Sequence, residues 1–252
     1  MGVLKKIAAV LWRLWRLIGT AISFIVFGLG GLFVGLVVGP ALYLIPGSKR
    51  RAAIARRVIG ALFSTFVEVM RFLGVLRYRI RMEAPLPSPP FLVVANHPSL
   101  IDVIFLIKLF PTADCVVKRA HWSNPFMMSA VRATNYVPNS NTADVLAQCA
   151  ERLRKGTVMT IFPEGTRTVP GEEPRYHRGP ALLALETGAS LLPVRIKVEP
   201  TTLTKSEPWY HIPERQVLVE LTVLPHIEPK KTASIRTDSI NLNAQLKSLL
   251  SE

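Results

Sequence analysis

Cysteine is scarce in this sequence: 252 residues carry two, Cys115 and Cys149. Two thiols make no disulfide framework, and both lie in apolar or helical contexts that suit small buried side chains. The five histidines, His97, His121, His177, His211 and His226, are scattered, so no His/Cys cluster has metal-ligand spacing and no metal is expected. A Walker loop, a Gly-x-Gly-x-x-Gly fingerprint and a Gly-x-Ser-x-Gly elbow are missing as well. That argues against P-loop, dinucleotide and serine-hydrolase chemistry and leaves no tightly held cofactor to expect. Acid is nearly absent from the first third. Residues 1–81 hold thirteen Lys/Arg and one acid, Glu68, a balance of +12 out of +14 for the chain, against 18 basic and 16 acidic residues in the rest. The basic excess therefore shares its stretch with the most hydrophobic residues. This suits an anionic membrane surface, where each nearby cation contributes about 1 kcal/mol. It suits nucleic acid poorly, and no nucleic-acid partner is expected.

What the sequence has in place of charge is a long apolar run. Residues 17–48 contain no charged side chain, more than the ~20 needed to span a bilayer. Arg13 and Arg16 precede the run and Lys49, Arg50 and Arg51 follow it. It is too long for a secretory signal and no small-residue cleavage site ends it. Glycines stud it, and both a single tilted span and a re-entrant hairpin turning near Gly30-Gly31 fit; the two basic flanks favour the hairpin. Residues 53–73 read as an amphipathic helix, with Ile59, Leu62, Phe63, Phe66, Val69 and Met70 on one side and Arg56, Arg57, Gly60, Glu68 and Arg71 on the other. The same pattern serves an interfacial helix or one packed on a domain core, and the preceding run favours the membrane.

After a short strand around residues 78–80 and the proline-rich joint 85–90, apolar runs alternate with helical patterns. Strands are expected near residues 91–95, 115–117, 158–162, 191–198 and 217–224. Helices are expected near 100–109, 125–132, 143–155 and 179–187, with a last one in the tail from residue 234. Such alternation predicts an α/β fold, a mixed and largely parallel central sheet covered by helices, behind an amino-terminal helical membrane-anchoring region. The domain expectation is a membrane-associating region over 1–84, a catalytic domain over 85–230 and a tail helix over 231–252.

Two polar segments each end a strand-like run, where an open α/β sheet places its chemistry. The first is Asn96-His97-Pro98-Ser99-Leu100-Ile101-Asp102. Imidazole titrates near neutrality and can take a proton from a hydroxyl, more so when a carboxylate fixes one ring nitrogen. With Ser99 capping the next helix, Asp102 falls in its first turn and its carboxylate reaches back to His97. The second segment is Phe162-Pro163-Glu164-Gly165-Thr166-Arg167. Pro163 and Gly165 impose a compact turn, while Thr166 and Arg167 offer a hydroxyl and a planar fork of donors suited to phosphate. Glu164 could pair with Arg167 or accept from a substrate hydroxyl.

The first of these segments resembles the first signature of the glycerolipid acyltransferases, the family of bacterial 1-acylglycerol-3-phosphate acyltransferases, and the second is similar to their third signature at every position. Leu191-Leu192-Pro193-Val194 resembles the fourth, and His177-Arg178-Gly179 the basic-Gly step that follows the third. The likeness spans about residues 78–200. It implies that His97, oriented by Asp102, deprotonates a hydroxyl of a membrane lipid acceptor, which attacks the thioester of acyl-CoA or acyl carrier protein with no acyl-enzyme. Asn96, Glu164, Gly165, Thr166, Arg167 and Arg178 would hold the acceptor. The default acceptor is 1-acylglycerol-3-phosphate, giving phosphatidic acid at the cytoplasmic face of the bacterial inner membrane. One stretch departs from the family: Asn135 and Asn139 stand where the second signature has Gly and the Arg that helps to hold the phosphate. Arg132, Arg175 or Arg178 could compensate. Acceptors that need less phosphate recognition, such as lyso-ornithine lipids or aryl-polyene head groups, are alternatives. A non-catalytic lipid-binding or membrane-remodelling protein and a hydrolase are others.

Overall fold

The apolar runs of the sequence form one seven-stranded sheet in the computed structural model, which describes residues 2–124, 127–205, 207–232 and 234–251. Its strands are β1 (Leu76–Met82), β2 (Phe91–Ala95), β3 (Asp114–Lys118), β4 (Val137–Asn139), β5 (Met159–Ile161), β6 (Ser190–Glu199) and β7 (Val217–Val223), in the order β1-β7-β6-β2-β5-β3-β4. β6, β2, β5, β3 and β4 run parallel to one another, β7 runs antiparallel to β6, and β1 runs parallel to β7. β2 lies centrally, with Val93 opposite Thr160 of β5 and Leu192 of β6. All five of its residues are buried, as a strand covered on both faces requires.

The helices are α1 (Gly2–Phe33), continued by a π-helical turn (Val34–Val38) and α2 (Gly39–Tyr43), then α3 (Ser48–Phe72), α4 (Asp102–Leu109), α5 (Met128–Thr134), α6 (Thr142–Arg154), α7 (Gly179–Thr187) and α8 (Ile235–Ser251). One core joins α3 and α4 to the sheet through Val67, Met70, Phe105 and Leu106 packed with Val93, Leu192 and Val219. The second joins α6, α7 and α8 to the other face through Cys149, Leu153, Leu183 and Leu246 packed with Leu92, Val94 and Leu191. The expected strands and helices fall close to the observed ones. β4 had no counterpart among the expected strands. Residues 125 and 126 of the expected 125–132 helix lie outside the described residues, and α5 runs from Met128 to Thr134.

Several expectations are corrected. The sheet begins before residue 85, because β1 pairs along its whole length with β7, Leu76 opposite Val217 through Met82 opposite Val223. The expected tail helix is α8, and its Leu242, Leu246 and Leu250 are buried in the core. The apolar side of α3 is not free for an interface. It buries Ala52, Ala55, Ile59, Val67 and Met70 within the protein. Gly60, expected on the polar side, is buried too, since a Cβ there would meet Pro111 Cβ at 2.6 Å. Arg56, also placed outward by its helical position, pairs with buried Asp114, which Arg152 holds from the other side at 3.1 Å.

The first helix does not turn at Gly30-Gly31; helix continues through both, and the chain reverses at residues 44–47, where Gly47 takes φ +84°. Its faces are inverted relative to a core helix. Arg16, Gly19, Thr20 and Ser23 are buried against the protein, while Leu11, Ile25 and Leu29, each 60% exposed, point away. Among the described residues, Lys5–Tyr43 is the one helical stretch long and apolar enough to cross a membrane.

Candidate active site

The site grows from the end of β2. Asn96 prolongs the pairing with β6 through its side chain: Oδ1 accepts the Ile196 N–H at 2.7 Å and Nδ2 donates to Ile196 O at 2.8 Å. His97 is then clamped through its backbone by the segment after β5. Its N–H donates to Glu164 Oε1 at 2.9 Å and its carbonyl accepts the Thr168 N–H at 2.8 Å. The imidazole stacks on Phe162, ring centroids 4.1 Å apart. With the backbone and one ring face fixed, the ring edge has little freedom left.

That edge meets Asp102, His97 Nδ1 lying 3.1 Å from Asp102 Oδ2. Asp102 opens α4, where a helix N-terminus favours a carboxylate, and its Oδ2 also accepts the Ser99 N–H at 2.6 Å. Ser99 is thus not the cap: its hydroxyl donates to Thr202 O at 2.8 Å, and the Asp102 carboxylate folds back over the turn instead. Asp102 is fully buried, and among the described residues its Oδ1 has no hydrogen-bond partner. Burial pushes its carboxyl up to about 6, against the pull of the His97 ring and the Ser99 N–H. At neutral pH the group is mainly ionised, so the hydrogen bond assigns the proton to Nδ1. Nε2 is left as the acceptor, and among the described residues no hydrogen bond occupies it.

The segment after β5 is built differently from expectation. Glu164 is buried and does not pair with Arg167; its Oε1 takes the His97 N–H and its Oε2 accepts the Thr168 hydroxyl at 2.5 Å. Each oxygen is thus engaged by the protein through one hydrogen bond. Arg167 Nη1 donates to Leu203 O at 2.9 Å and Thr204 O at 3.0 Å, which ties it to the β6–β7 connection. Asn96 is likewise committed to Ile196, so its side chain serves the framework rather than a ligand. Gly165 takes φ +67° at an exposed turn, the left-handed conformation that favours glycine, with half-buried Thr166 after it. Arg178 is exposed at the start of α7, brought to this turn by the His177 N–H donating to Pro163 O at 2.8 Å.

The parallel strands put further cations on the same sheet edge. Lys118 ends β3, is exposed, and stands in register with Asn139 at the end of β4. It lies close enough to His121 to help burial lower that imidazole. Lys118 directly follows the strand read over 115–117, and that placement was the available signal for it. Asn135 takes φ +54° at the end of α5, a position that explains a Gly preference and that Asn tolerates. Arg132 reaches Trp122 O at 3.4 Å. Arg175 is exposed beside Glu173, Tyr176 and Lys247. Thr168, the 202–204 carbonyls and the stacking of Phe162 on His97 are the other parts of the site not anticipated. Among the described residues no group of three or more His, Cys, Asp or Glu could hold a metal ion.

Residues 77–197, which contain both polar segments, match the family model described as Acyltransferase. This stretch belongs to the acyltransferase family. The chain is 28% identical over 130 residues to 1-acyl-sn-glycerol-3-phosphate acyltransferase of Pseudomonas aeruginosa, covering 49% of this chain and 51% of that one. It is 32% identical over 130 residues to lyso-ornithine lipid O-acyltransferase of the same organism, covering 50% of each. The match thus spans about half the length of these curated relatives. The crystal structure of the 1-acyl-sn-glycerophosphate acyltransferase PlsC from Thermotoga maritima superimposes with a TM-score of 0.62 at 22% identity, covering 98% of this chain and 97% of that one. That likeness bears on the fold: a mixed, mainly parallel sheet between helical layers.

Proposed function

We propose that this chain is an O-acyltransferase that moves an acyl group from acyl-CoA or acyl carrier protein to the hydroxyl of a lysophospholipid, with 1-acylglycerol-3-phosphate as the default acceptor and phosphatidic acid as product. The observation that carries the reading is the His97 Nδ1–Asp102 Oδ2 contact of 3.1 Å with Nε2 left open at the sheet edge. The acceptor O–H gives its proton to Nε2 while its oxygen attacks the thioester carbonyl carbon. Asp102 stabilises the imidazolium that forms. Collapse of the tetrahedral intermediate breaks the C–S bond, and the departing thiolate takes the proton back from Nε2. Holding both reactants in line contributes to the barrier reduction, within the ~7–11 kcal/mol available to good orientation. Lys118 and Arg178, both exposed on this edge, supply the positive field for the acceptor phosphate, Lys118 standing beside the Asn139 that replaces the family's arginine.

The inverted faces of α1 support membrane attachment, with the Lys5–Tyr43 helix as the membrane-associating element and its basic neighbours among anionic headgroups. Placement at the cytoplasmic face of the bacterial inner membrane follows from the donors, which are soluble thioesters.

A second acceptor class, lyso-ornithine lipid, is favoured by one specific feature: the Arg167 guanidinium is engaged with Leu203 O and Thr204 O. The deciding experiment measures transfer from labelled acyl-CoA to lysophosphatidic acid and to lyso-ornithine lipid in mixed micelles, beside a His97→Ala control. Labelled phosphatidic acid that vanishes in the control is expected. Product from the lyso-ornithine lipid alone moves the assignment to that acceptor. No product from either, with acyl-CoA or with acyl carrier protein as donor, overturns the enzyme reading.

A further inference from the structure

β6 and β7 are antiparallel neighbours, which two to five residues can join, yet seventeen residues lie between them. This connection is tied to the rest of the protein at both ends and braced within itself between them. Its start is bolted to the site: Thr202 O accepts the Ser99 hydroxyl at 2.8 Å, and Leu203 O accepts the Leu100 N–H at 3.1 Å besides Arg167. Its far limb is held by α1, Arg16 Nη2 donating to Pro213 O at 3.1 Å and Glu214 O at 2.6 Å. Between them, Glu207 accepts the Thr204 N–H at 2.9 Å and lies 2.6 Å from His211 Nδ1. The turn so fixed presents two large aromatic side chains to the outside, Trp209 at 42% and Tyr210 at 62% exposure, with ring centroids 5.8 Å apart. Trp209 also packs on Phe24 of α1, ring centroids 5.6 Å apart, and Ile25, the next residue of that helix, faces outward.

A tryptophan and a tyrosine held outward on a braced turn form apolar surface that the described residues leave partly uncovered. They continue the outward apolar stripe of α1, and exposed Arg13 and Arg215 lie toward the Arg16 end of the same contact. Aromatic rings with a polar edge, next to aliphatic surface and flanked by cations, match the chemistry of the headgroup–acyl boundary. We propose that the Trp209–Tyr210 tip is a second lipid contact, seated at that boundary alongside α1, and that it fixes the height of the His97 site over the bilayer. The proposal rests on the membrane-attached reading of α1. It adds a contact that this helix does not supply, joined through residues 202–204 to the segment that carries the base.

The test uses the full chain with an environment-sensitive fluorophore on Tyr210→Cys, the native Cys115 and Cys149 being buried. A control label sits on Glu186→Cys, an exposed position of α7 in the opposite helical layer. Vesicles of phosphatidylglycerol and phosphatidylcholine carry a quencher near the headgroup or at the chain end. The expected result is a blue shift at 210 on adding vesicles, with stronger quenching by the shallow lipid and no change at 186. Trp209→Ala should weaken sedimentation with these vesicles roughly three- to tenfold. A protein that sediments with vesicles while the 210 label behaves like the 186 label overturns the proposal and leaves the attachment of α1 standing. Failure of the wild-type chain to sediment removes the membrane reading and the proposal together. Shielding of the 210 label that rises with protein concentration in the absence of lipid assigns the surface to a second copy and overturns the proposal.

Discussion

The segment after β2 and the segment after β5 lie side by side at one edge of the sheet, and they spend their polar groups in opposite ways. After β2, His97 and Asp102 turn toward each other and leave one imidazole nitrogen open. After β5, Glu164, Thr168 and Arg167 turn toward the chain around them, to the His97 backbone and to the 203–204 carbonyls. On the proposed function the first segment carries the reactive groups, and the second holds them still. A buried carboxylate that accepts a backbone N–H is a splint, and its loss should be felt through the geometry of its neighbour. Substitutions in the two segments should therefore fail differently, one in chemistry with the fold intact, the other in both.

The largest effect belongs to Asp102. In Asp102→Asn the amide oxygen keeps the place that faces both the Ser99 N–H and His97 Nδ1, but the negative charge that stabilises the imidazolium is gone. A kcat loss of about 10³–10⁴-fold is expected, by the logic of other His–carboxylate pairs. Stability should go the other way. The folded-state pKa of Asp102 is raised from 3.8 to about 6, so the folded protein binds this proton more tightly than the unfolded chain. Its contribution is most favourable below pH 3.8, declines as pH rises to about 6, and is an unrelieved penalty above that. An uncharged amide escapes a penalty of at most about 3 kcal/mol. Thermal melts at pH 7.5 should show Asp102→Asn no less stable than wild type. The wild-type rate should fall as pH drops through about 6, where the carboxylate protonates. A rate flat from pH 7.5 to 5 would detach Asp102 from the chemistry.

Glu164→Ala comes next and should damage both properties. It leaves the His97 N–H without its acceptor in a buried setting, a cost of about 1–3 kcal/mol. A melting temperature lower by several degrees is expected at this chain length. Displacement of the imidazole should lower kcat about 10²-fold, with KM changed less. Glu164→Gln keeps an acceptor for the N–H and should recover most of both. A Glu164→Ala protein with intact kcat and a raised acceptor KM would make Glu164 a substrate ligand and erase the contrast between the segments.

The sequence reaches β2, β5 and the His97–Asp102 contact because their causes are local: an apolar run buried on both faces, a turn, and a five-residue reach inside one helical entry. It does not reach the splints. Asn96 finds its partner at Ile196 and Glu164 finds its own at His97, and spacing within a motif carries nothing about partners sixty or a hundred residues away. The two amino-terminal helices teach the same lesson. Both are amphipathic and flanked by basic residues, but α3 buries its apolar side because α4 and the sheet are there to cover it, whereas α1 sets mostly small and polar residues against the protein, with Phe27 the large apolar one, on Phe63 and Phe66. Periodicity marks a face and leaves open what meets it. β4 escaped because three residues, Val137–Asn139, are too few to show alternation, and its pairing with β3 supplies what its own sequence lacks.

Two smaller effects sharpen the division at the phosphate end. Arg167→Ala removes two hydrogen bonds to the β6–β7 connection. If Arg167 belongs to the splint, the acceptor KM rises several-fold to a similar extent for phosphate and ornithine acceptors; a loss confined to the phosphate acceptor would place the guanidinium on the ligand instead. Asn139→Arg is the mildest. It adds a cation at an exposed strand end in register with Lys118. An exposed charge pair is worth only about 0.2–1 kcal/mol, so KM for 1-acylglycerol-3-phosphate should fall no more than about fivefold, with no gain for lyso-ornithine lipid. The effect should shrink in high salt, because the charges are screened by water and ions. A gain much larger than this would mean that Lys118 leaves the acceptor phosphate largely unpaired in the wild type. No gain would mean that the cation already present at the end of β3 fills that place.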